Sequence, residues 1–207
     1  MKITLAKTAG FCFGVNRAVN MLYDLVRDDV NVCTLGPIIH NPQVVADLEN
    51  KGVNIIDDIT GASDCKKVVI RTHGVEQGIL KYCENHSLDY IDATCPYVKK
   101  IHKIVQNNST EDSPVLIAGD KNHPEVIGIK SYCNGDCFVF NSAEELEEIF
   151  KGNKFNEEKP FVVVSQTTFS TKEWKKCVKK IKILYTNAII FDTICSATEE
   201  RQAEALL

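Results

Sequence analysis

The chain has 207 residues, 44% of them hydrophobic and 25% charged, a globular composition that excludes disordered, collagen-like and coiled-coil readings. Lys and Arg number 24 against 28 Asp and Glu, for a net charge of −4, so a dedicated nucleic-acid binder, which carries a basic excess, is disfavoured. The length suits one large domain or two of about 100 residues, and no apolar run reaches the roughly 18 residues of a membrane span.

The first ten residues, M-K-I-T-L-A-K-T-A-G, lack the apolar stretch of a secretory signal. The expected location is therefore cytoplasmic. Val15, Ala18, Val19, Leu22, Leu25 and Val26 follow the helical period. Short aliphatic or aromatic runs then predict strands at Val68–Arg71 and Tyr90–Ala93. Pro96 opens a helix through Tyr97, Ile101, Ile104 and Val105. Strands follow at Val115–Ala118 and Cys137–Phe140. Ser142 with Glu145 reads as a capping box, residues 151–159 as a polar loop, and Phe161–Ser165 as a strand. Ser170 with Glu173 caps a lysine-rich helix whose charged face, Lys172–Lys182, is solvated around Trp174, Val178 and Ile181. Ala188–Asp192 is the last strand, and Ser196 with Glu199 the last capping box. Alternating strands and helices predict an α/β fold with small parallel sheets.

The text repeats itself. Cys12 and Cys95, Gly36 and Gly119, and His40 and His123 are each 83 residues apart. G-P-I-I-H-N-P-Q-V-V at Gly36–Val45 is echoed by G-D-K-N-H-P-E-V-I at Gly119–Ile127. More loosely, V-V-I-R-T-H-G at Val68–Gly74 matches V-V-V-S-Q-T-T at Val162–Thr168, and I-D-A-T-C at Ile91–Cys95 matches F-D-T-I-C at Phe191–Cys195. The repeat predicts a first lobe over residues 1–95, a second over 96–194, and the start of an incomplete third over 195–207. Packed about a pseudo-three-fold axis, such lobes would turn their strand ends toward one cavity, where ligands of open α/β sheets sit.

Nine cysteines without an export signal argue against a disulfide framework. The repeat singles out Cys12, Cys95 and Cys195, each before a helix whose N-terminus favours an anionic ligand. Three such thiols suit a [4Fe–4S] cluster with one iron open, or zinc, or they are buried structural residues; close C-x-x-C pairs are absent, so spacing alone leaves these alternatives open. Cys33, Cys65, Cys83 and Cys177 read as core or surface. Cys133 and Cys137 flank the turn Asn134–Asp136 and could pair or bind metal, although structural thiols are the simpler reading. His40, His73 and His123 follow strand or turn signals beside Gly or Pro and suit an anion pocket for a phosphate or diphosphate, or metal ligation. His86 and His102 lie on helical patterns and read as ordinary polar residues. Glu125 is placed to carry protons, and Thr167 and Thr168 offer hydroxyls for orienting a ligand, relaying a proton or capping a helix.

Seven motifs, in order along the chain, resemble one family. G-F-C-F-G-V at Gly10–Val15, G-P-I-I-H-N at Gly36–Asn41, R-T-H-G at Arg71–Gly74, D-A-T-C-P at Asp92–Pro96, N-H-P-E-V at Asn122–Val126, S-Q-T-T at Ser165–Thr168 and D-T-I-C at Asp192–Cys195 are similar to those of 4-hydroxy-3-methylbut-2-enyl diphosphate reductases (IspH, or LytB). The resemblance implies a three-lobed α/β fold around a [4Fe–4S] cluster held by Cys12, Cys95 and Cys195. It implies diphosphate binding by His40, His73 and His123, with Thr168 as a further binding residue, Glu125 as proton source and Thr167 near the substrate alcohol. The implied reaction is the two-electron reductive dehydroxylation that ends the non-mevalonate isoprenoid pathway, giving isopentenyl and dimethylallyl diphosphate. An external donor such as a ferredoxin or flavodoxin would supply the electrons singly; no G-x-G-x-x-G follows a strand, so no nicotinamide or flavin site is expected. The family continues past its third cysteine into a lobe with a Ser-x-Asn run and a later serine, whereas this sequence stops at Leu207. That predicts weak cluster binding and slow or no turnover for these 207 residues alone. A non-catalytic iron–sulfur carrier, a zinc protein or an inactive fragment is the alternative; the three histidines with Glu125 count against the carrier, and colour and sulfide content separate the zinc protein.

Overall fold

The computed structural model describes residues 5–28, 30–153, 155 and 159–205. The chain forms two compact units, one of Phe11–Lys99 and one of Lys100–Leu207 with Met1–Gly10. In the first, α1 (Phe13–Arg27), β1 (Val32–Leu35), α2 (Pro42–Asn50), β2 (Asn54–Ile56), a 3₁₀ turn (Ile59–Asp64), β3 (Lys67–Ile70), α3 (Gln77–Asn85) and β4 (Tyr90–Asp92) follow one another. α4 (Pro96–Asn108) carries the chain into the second unit, where β5 (Val115–Ala118), α5 (Pro124–Lys130), β6 (Cys137–Phe140), α6 (Ala143–Gly152), β7 (Phe161–Ser165), α7 (Thr171–Leu184), β8 (Ala188–Ile190) and α8 (Ser196–Glu204) follow.

Both sheets are wholly parallel and have the same order, β2-β1-β3-β4 and β6-β5-β7-β8. The inner strands β1, β5 and β7 are buried along their whole length, while edge strands β2, β4 and β8 are partly exposed, as parallel sheets covered on both faces require. Alternate residues feed opposite cores. Val32 and Val69 pack with Ala18, Leu22 and Leu48 from α1 and α2; Cys33, Leu35, Val68 and Ile70 pack with Ile59, Ala62 and Cys83 on the other face. In the second unit Val115, Ile117, Val162 and Val164 meet Ile101, Val105, Val126 and Ile129, while Leu116, Ala118, Phe161 and Val163 meet Leu146, Trp174 and Ile181.

The repeat extends to single hydrogen bonds. Gly36 N donates to Ile56 O and Gly119 N to Phe140 O, each at 2.8 Å. Strand pairing corrects one correspondence. Leu35 stands opposite Ile70, and Ala118 opposite Ser165, so Ile70 is the counterpart of Ser165, and Arg71, Thr72 and His73 are those of Gln166, Thr167 and Thr168. The text match over Val68–Gly74 is therefore shifted by one residue. The last capping box also differs: the N-cap of α8 is Cys195, and Ser196 is its first helical residue. Ser142 and Ser170 cap α6 and α7 as expected. The polar loop expected over 151–159 falls partly on 154 and 156–158, outside the described residues. Among the described residues no helix is long and apolar enough to cross a membrane.

Candidate functional site

Each singled-out cysteine precedes a helix in the same way. Cys12 O accepts from Asn16 N at 2.9 Å, Cys95 O from Lys99 N at 3.0 Å and Cys195 O from Glu199 N at 3.1 Å. Cys12 and Cys195 have extended N-cap backbones, and neither thiol caps its helix. The amides of Cys95 and Cys195 donate to Thr72 O and Thr167 O, both at 2.9 Å, the equivalent carbonyls of the two units. Two further devices set Cys95. Arg17 Nη2 donates to Ala93 O at 3.0 Å and Thr94 O at 2.9 Å, fixing the segment just before it. A β-carbon at Gly14 would stand 2.6 Å from Cys95 Sγ, so only glycine lets this sulfur lie against the first turn of α1. All nine cysteines are thiols. The half-buried thiols of Cys12 and Cys95 in the first unit and of Cys195 in the second each stand at a helix start, and thiolates are the donor type that an iron–sulfur group takes.

The strand order reverses between β1 and β3, and again between β5 and β7, the crevice where ligands of such sheets bind. In the first unit this point carries Gly36–His40 and Arg71–His73. The rings of exposed His40 and half-buried His73 lie 4.3 Å apart, tilted by 33°. The Arg71 guanidinium covers Gly36, where a β-carbon would be 2.5 Å from Nη1 and where φ is +69°; burial pushes its pKa down. Imidazoles and a guanidinium at a switch point suit an anion.

The corresponding point of the second unit is acidic. Glu125 follows His123, the N-cap of α5, whose Nδ1 accepts from Glu125 N at 3.1 Å. The Glu125 side chain is 1% exposed. One carboxylate oxygen accepts from Thr167 N at 2.6 Å and the other from Thr167 Oγ1 at 2.8 Å. Burial raises the Glu125 pKa, and the two Thr167 bonds pull against that rise. A carboxyl whose acid form is favoured by burial, beside a hydroxyl, can give and take a proton. Thr167 in turn receives the Cys195 amide on its carbonyl. Thr168 is exposed, and its hydroxyl accepts from Gln166 Nε2 at 3.0 Å.

Thus His40 joins His73 in one unit, and His123, Glu125, Thr167 and Cys195 form a bonded series in the other. Sequence reasoning passed over four positioning residues. Arg17 and Arg71 are cations tied to backbone carbonyls, Arg71 Nε reaching Gly74 O at 3.4 Å. Gln166 Oε1 accepts from Asp120 N at 3.2 Å. The Thr193 hydroxyl accepts from Ser165 N and donates to Ser165 O, both at 2.7 Å, fixing the end of β7. Arg71, Gln166 and Thr193 stood inside quoted motifs; Arg17 carried no signal beyond its nearness to Cys12. His102, read as an ordinary residue, is buried and stacks on Tyr132 with ring centres 4.3 Å apart.

The family profile described as "LytB protein" matches residues 3–206. The 4-hydroxy-3-methylbut-2-enyl diphosphate reductase of Thermoanaerobacter sp. (strain X514) is 41% identical over 209 residues, covering 99% of this chain and 70% of the relative. That of Geobacter sulfurreducens is 42% identical over 205 residues, with 99% and 70% covered. Among solved structures, (E)-4-hydroxy-3-methyl-but-2-enyl diphosphate reductase, described as the terminal enzyme of the non-mevalonate pathway, matches at 38% identity with a TM-score of 0.78, over 98% of this chain and 71% of that one. The corresponding reductase of Plasmodium falciparum matches at 29% identity with a TM-score of 0.84, over 94% and 61%.

Proposed function

The chain belongs to the LytB family, and from that premise we propose that it is a 4-hydroxy-3-methylbut-2-enyl diphosphate reductase, which removes the allylic hydroxyl and yields isopentenyl and dimethylallyl diphosphate. The observation that carries the reading is the buried Glu125 carboxyl, bonded through both oxygens to Thr167 and set one residue beyond Pro124 and the His123 cap. Hydroxide leaves poorly unless protonated, and a carboxyl whose acid form burial favours is suited to protonate it. Thr167 Oγ1 holds one carboxyl oxygen and orients the group, and it provides a relay between carboxyl and alcohol. His40, His73 and His123 bind the diphosphate in this reading, with Thr168 lending a hydroxyl; Arg71 adds a fixed positive charge to the first unit's share. Cys12, Cys95 and Cys195 would hold a [4Fe–4S] cluster, which supplies electrons one at a time and a Lewis-acidic iron for the alcohol oxygen. Those electrons come from an external carrier, a ferredoxin or flavodoxin by class, and the reaction belongs in the cytoplasm.

The test is anaerobic. The chain is reconstituted with iron and sulfide, its iron and acid-labile sulfide are measured, and the allylic diphosphate is supplied with a one-electron chemical reductant. For these 207 residues the expected result is a loosely held cluster, with iron and sulfide in equal amounts, and slow formation of both product isomers, the cluster being lost in Cys12→Ser, Cys95→Ser or Cys195→Ser. Zinc in place of iron, or a loaded cluster with no consumption of the diphosphate, would defeat the reading.

A further inference from the structure

The thiols of Cys133 and Cys137 belong to none of the machinery above, yet the second unit builds a frame around them. Cys133 lies three residues past the end of α5, and Cys137 is the first residue of β6. Between them, Asn134–Gly135–Asp136 is held from outside. Asn134 N donates to Ser109 Oγ at 2.9 Å, its side-chain amide to Gln106 O at 2.9 Å and Ser109 O at 3.2 Å, and Val115 N donates to Asp136 O at 2.9 Å. A β-carbon at Gly135 would stand 2.3 Å from Thr110 O, so the turn fits closely against that backbone. Cys133 is tethered as well, through its amide to Lys130 O at 3.1 Å. The fixed turn brings the two sulfurs into a hydrogen bond with each other. Both residues are half-buried, within reach of a small reagent.

We propose that Cys133 and Cys137 form a reversible redox pair, a dithiol that a low-molecular-weight disulfide of the glutathione type converts to an intramolecular disulfide. Attack by the Cys133 sulfur on the reagent breaks its S–S bond, expels one thiol and forms a mixed disulfide. Cys137 then displaces the second thiol. Two S–H bonds are lost, one protein S–S bond forms, and two electrons and two protons end on the reagent's two thiols. The bond from Cys137, helped by the nearby Lys130 charge, keeps the Cys133 thiol below its ordinary value, which suits it to attack first. Cys137, bonded to Cys133 and buried beside it, is pushed up and serves as the resolving thiol. Among the described residues no third metal-binding side chain joins the two, so a disulfide is favoured over a metal site. The bond would strap the end of α5 to the start of β6. α5 is a seven-residue helix with Glu125 in its first turn, so the strap lies about 10 Å of helix from the proposed proton donor.

The molecule contains its own control. Cys33 and Cys65 are also hydrogen-bonded, but Cys33 is fully buried in β1 and its thiol is pushed up to about 12, chiefly by burial and then by Cys65. A neutral, shielded thiol does not exchange.

The full chain, reduced and then equilibrated in oxidised and reduced glutathione of graded ratio, is quenched with an alkylating agent and mapped by peptide mass spectrometry. Cys133 and Cys137 should escape alkylation together, their joint peptide lighter by two hydrogens. The ratio of alkylated to linked peptide should fall about tenfold for each ~30 mV made more oxidising, and dithiothreitol should reverse it while Cys33 and Cys65 stay unlinked. In Cys137→Ser, Cys133 should accumulate the glutathione adduct. Cys133 and Cys137 alkylated in full at ratios that modify other thiols, or glutathione retained on both without a link, would overturn the proposal. This mapping does not depend on reductase activity.

Discussion

The two units have one scaffold and different equipment. Each places a glycine after its first strand, a histidine four residues on, and a threonine two residues past its third strand whose carbonyl receives a cysteine amide. At the 83-residue spacing, however, Glu125 corresponds to Pro42. With no carboxylate there, the Thr72 hydroxyl donates to Ile38 O at 3.0 Å, whereas the hydroxyl of Thr167 donates to Glu125. The residue over the glycine also differs: Arg71 covers Gly36, and Gln166 covers Gly119. The first switch point is thus furnished with imidazoles and a guanidinium, the second with an acid and amides. Duplicating a doubly wound sheet creates two ligand crevices at once, and side-chain changes at their mouths give the two different chemistry.

The sharpest way to break this contrast is Glu125→Gln. Turnover should fall by about 10²–10⁴-fold, the usual worth of a positioned acid, while cluster content stays unchanged. The same variant has a pH signature. Burial raises the Glu125 pKa in the fold, so the folded state gains from the neutral acid. That gain is complete below the unfolded carboxyl's pKa and is lost as pH rises through the folded value. Trp174, the only tryptophan and 4% exposed in the second unit's core, reports that unit's unfolding. Glu125→Gln should remove this part of the pH dependence from its fluorescence-detected urea midpoint. An unchanged pH profile with unchanged turnover would erase the distinction between the crevices.

Next comes Gly14→Ala. Its β-carbon has no room beside Cys95 Sγ, and overpacking a site of this kind costs about 1–3 kcal/mol. Bound iron per chain should drop, and amide exchange in β1 and β3 should quicken. The paired glycines should respond for different reasons. Gly119→Ala meets Val126 Cγ2 at 2.7 Å and Gln166 Cβ at 3.0 Å, so a double-mutant cycle with Val126→Ala should show coupling of about 0.5–3 kcal/mol. Gly36→Ala meets the movable end of Arg71 and a positive φ. Its loss, about 1–2 kcal/mol of left-handed strain, should persist when Arg71 is shortened to Ala.

Much of this contrast could be read from the text. Val115–Ala118, Cys137–Phe140 and Phe161–Ser165 were legible residue for residue, because short aliphatic or aromatic runs bounded by polar, glycine or proline residues mark strands, the first and last of them buried along their whole length. β1 escaped because V-C-T-L interrupts its apolar run with Thr34, which is itself 1% exposed; β2 is a three-residue edge strand with little to distinguish it. Cys195 took the cap expected of Ser196 because its amide is drawn to Thr167 O, a tertiary bond that no local pattern shows. The site residues lay in repeated or family-like motifs, but the bond from Thr167 to Glu125 spans 42 residues, and only the strand register shows that Thr167 answers to Thr72.

The smallest expected difference lies between the crossovers linking β2 to β3 and β6 to β7, where the described residues of the two units take different secondary structure. The first unit uses a 3₁₀ turn capped by Asp58, which accepts from Thr60 N at 2.8 Å and Thr60 Oγ1 at 2.6 Å. The second uses the ten-residue α6, where Ser142 Oγ accepts from Glu145 N at 3.2 Å and Glu145 accepts from Asn141 N at 2.9 Å. Ser142→Ala leaves an orphan N–H at the start of a helix that packs Leu146 into the core. It should cost about 1 kcal/mol, independent of pH, in the Trp174-detected midpoint. The Asp58 carboxyl is held below the usual range by its Thr60 bonds, so its contribution is present above the unfolded carboxyl's pKa and lost as pH falls through the folded value. Asp58→Ala should accordingly matter at neutral pH and not in acid, and only in amide exchange around the 3₁₀ turn. An acid-sensitive Ser142 effect would mean that Glu145, rather than the serine, carries the cap.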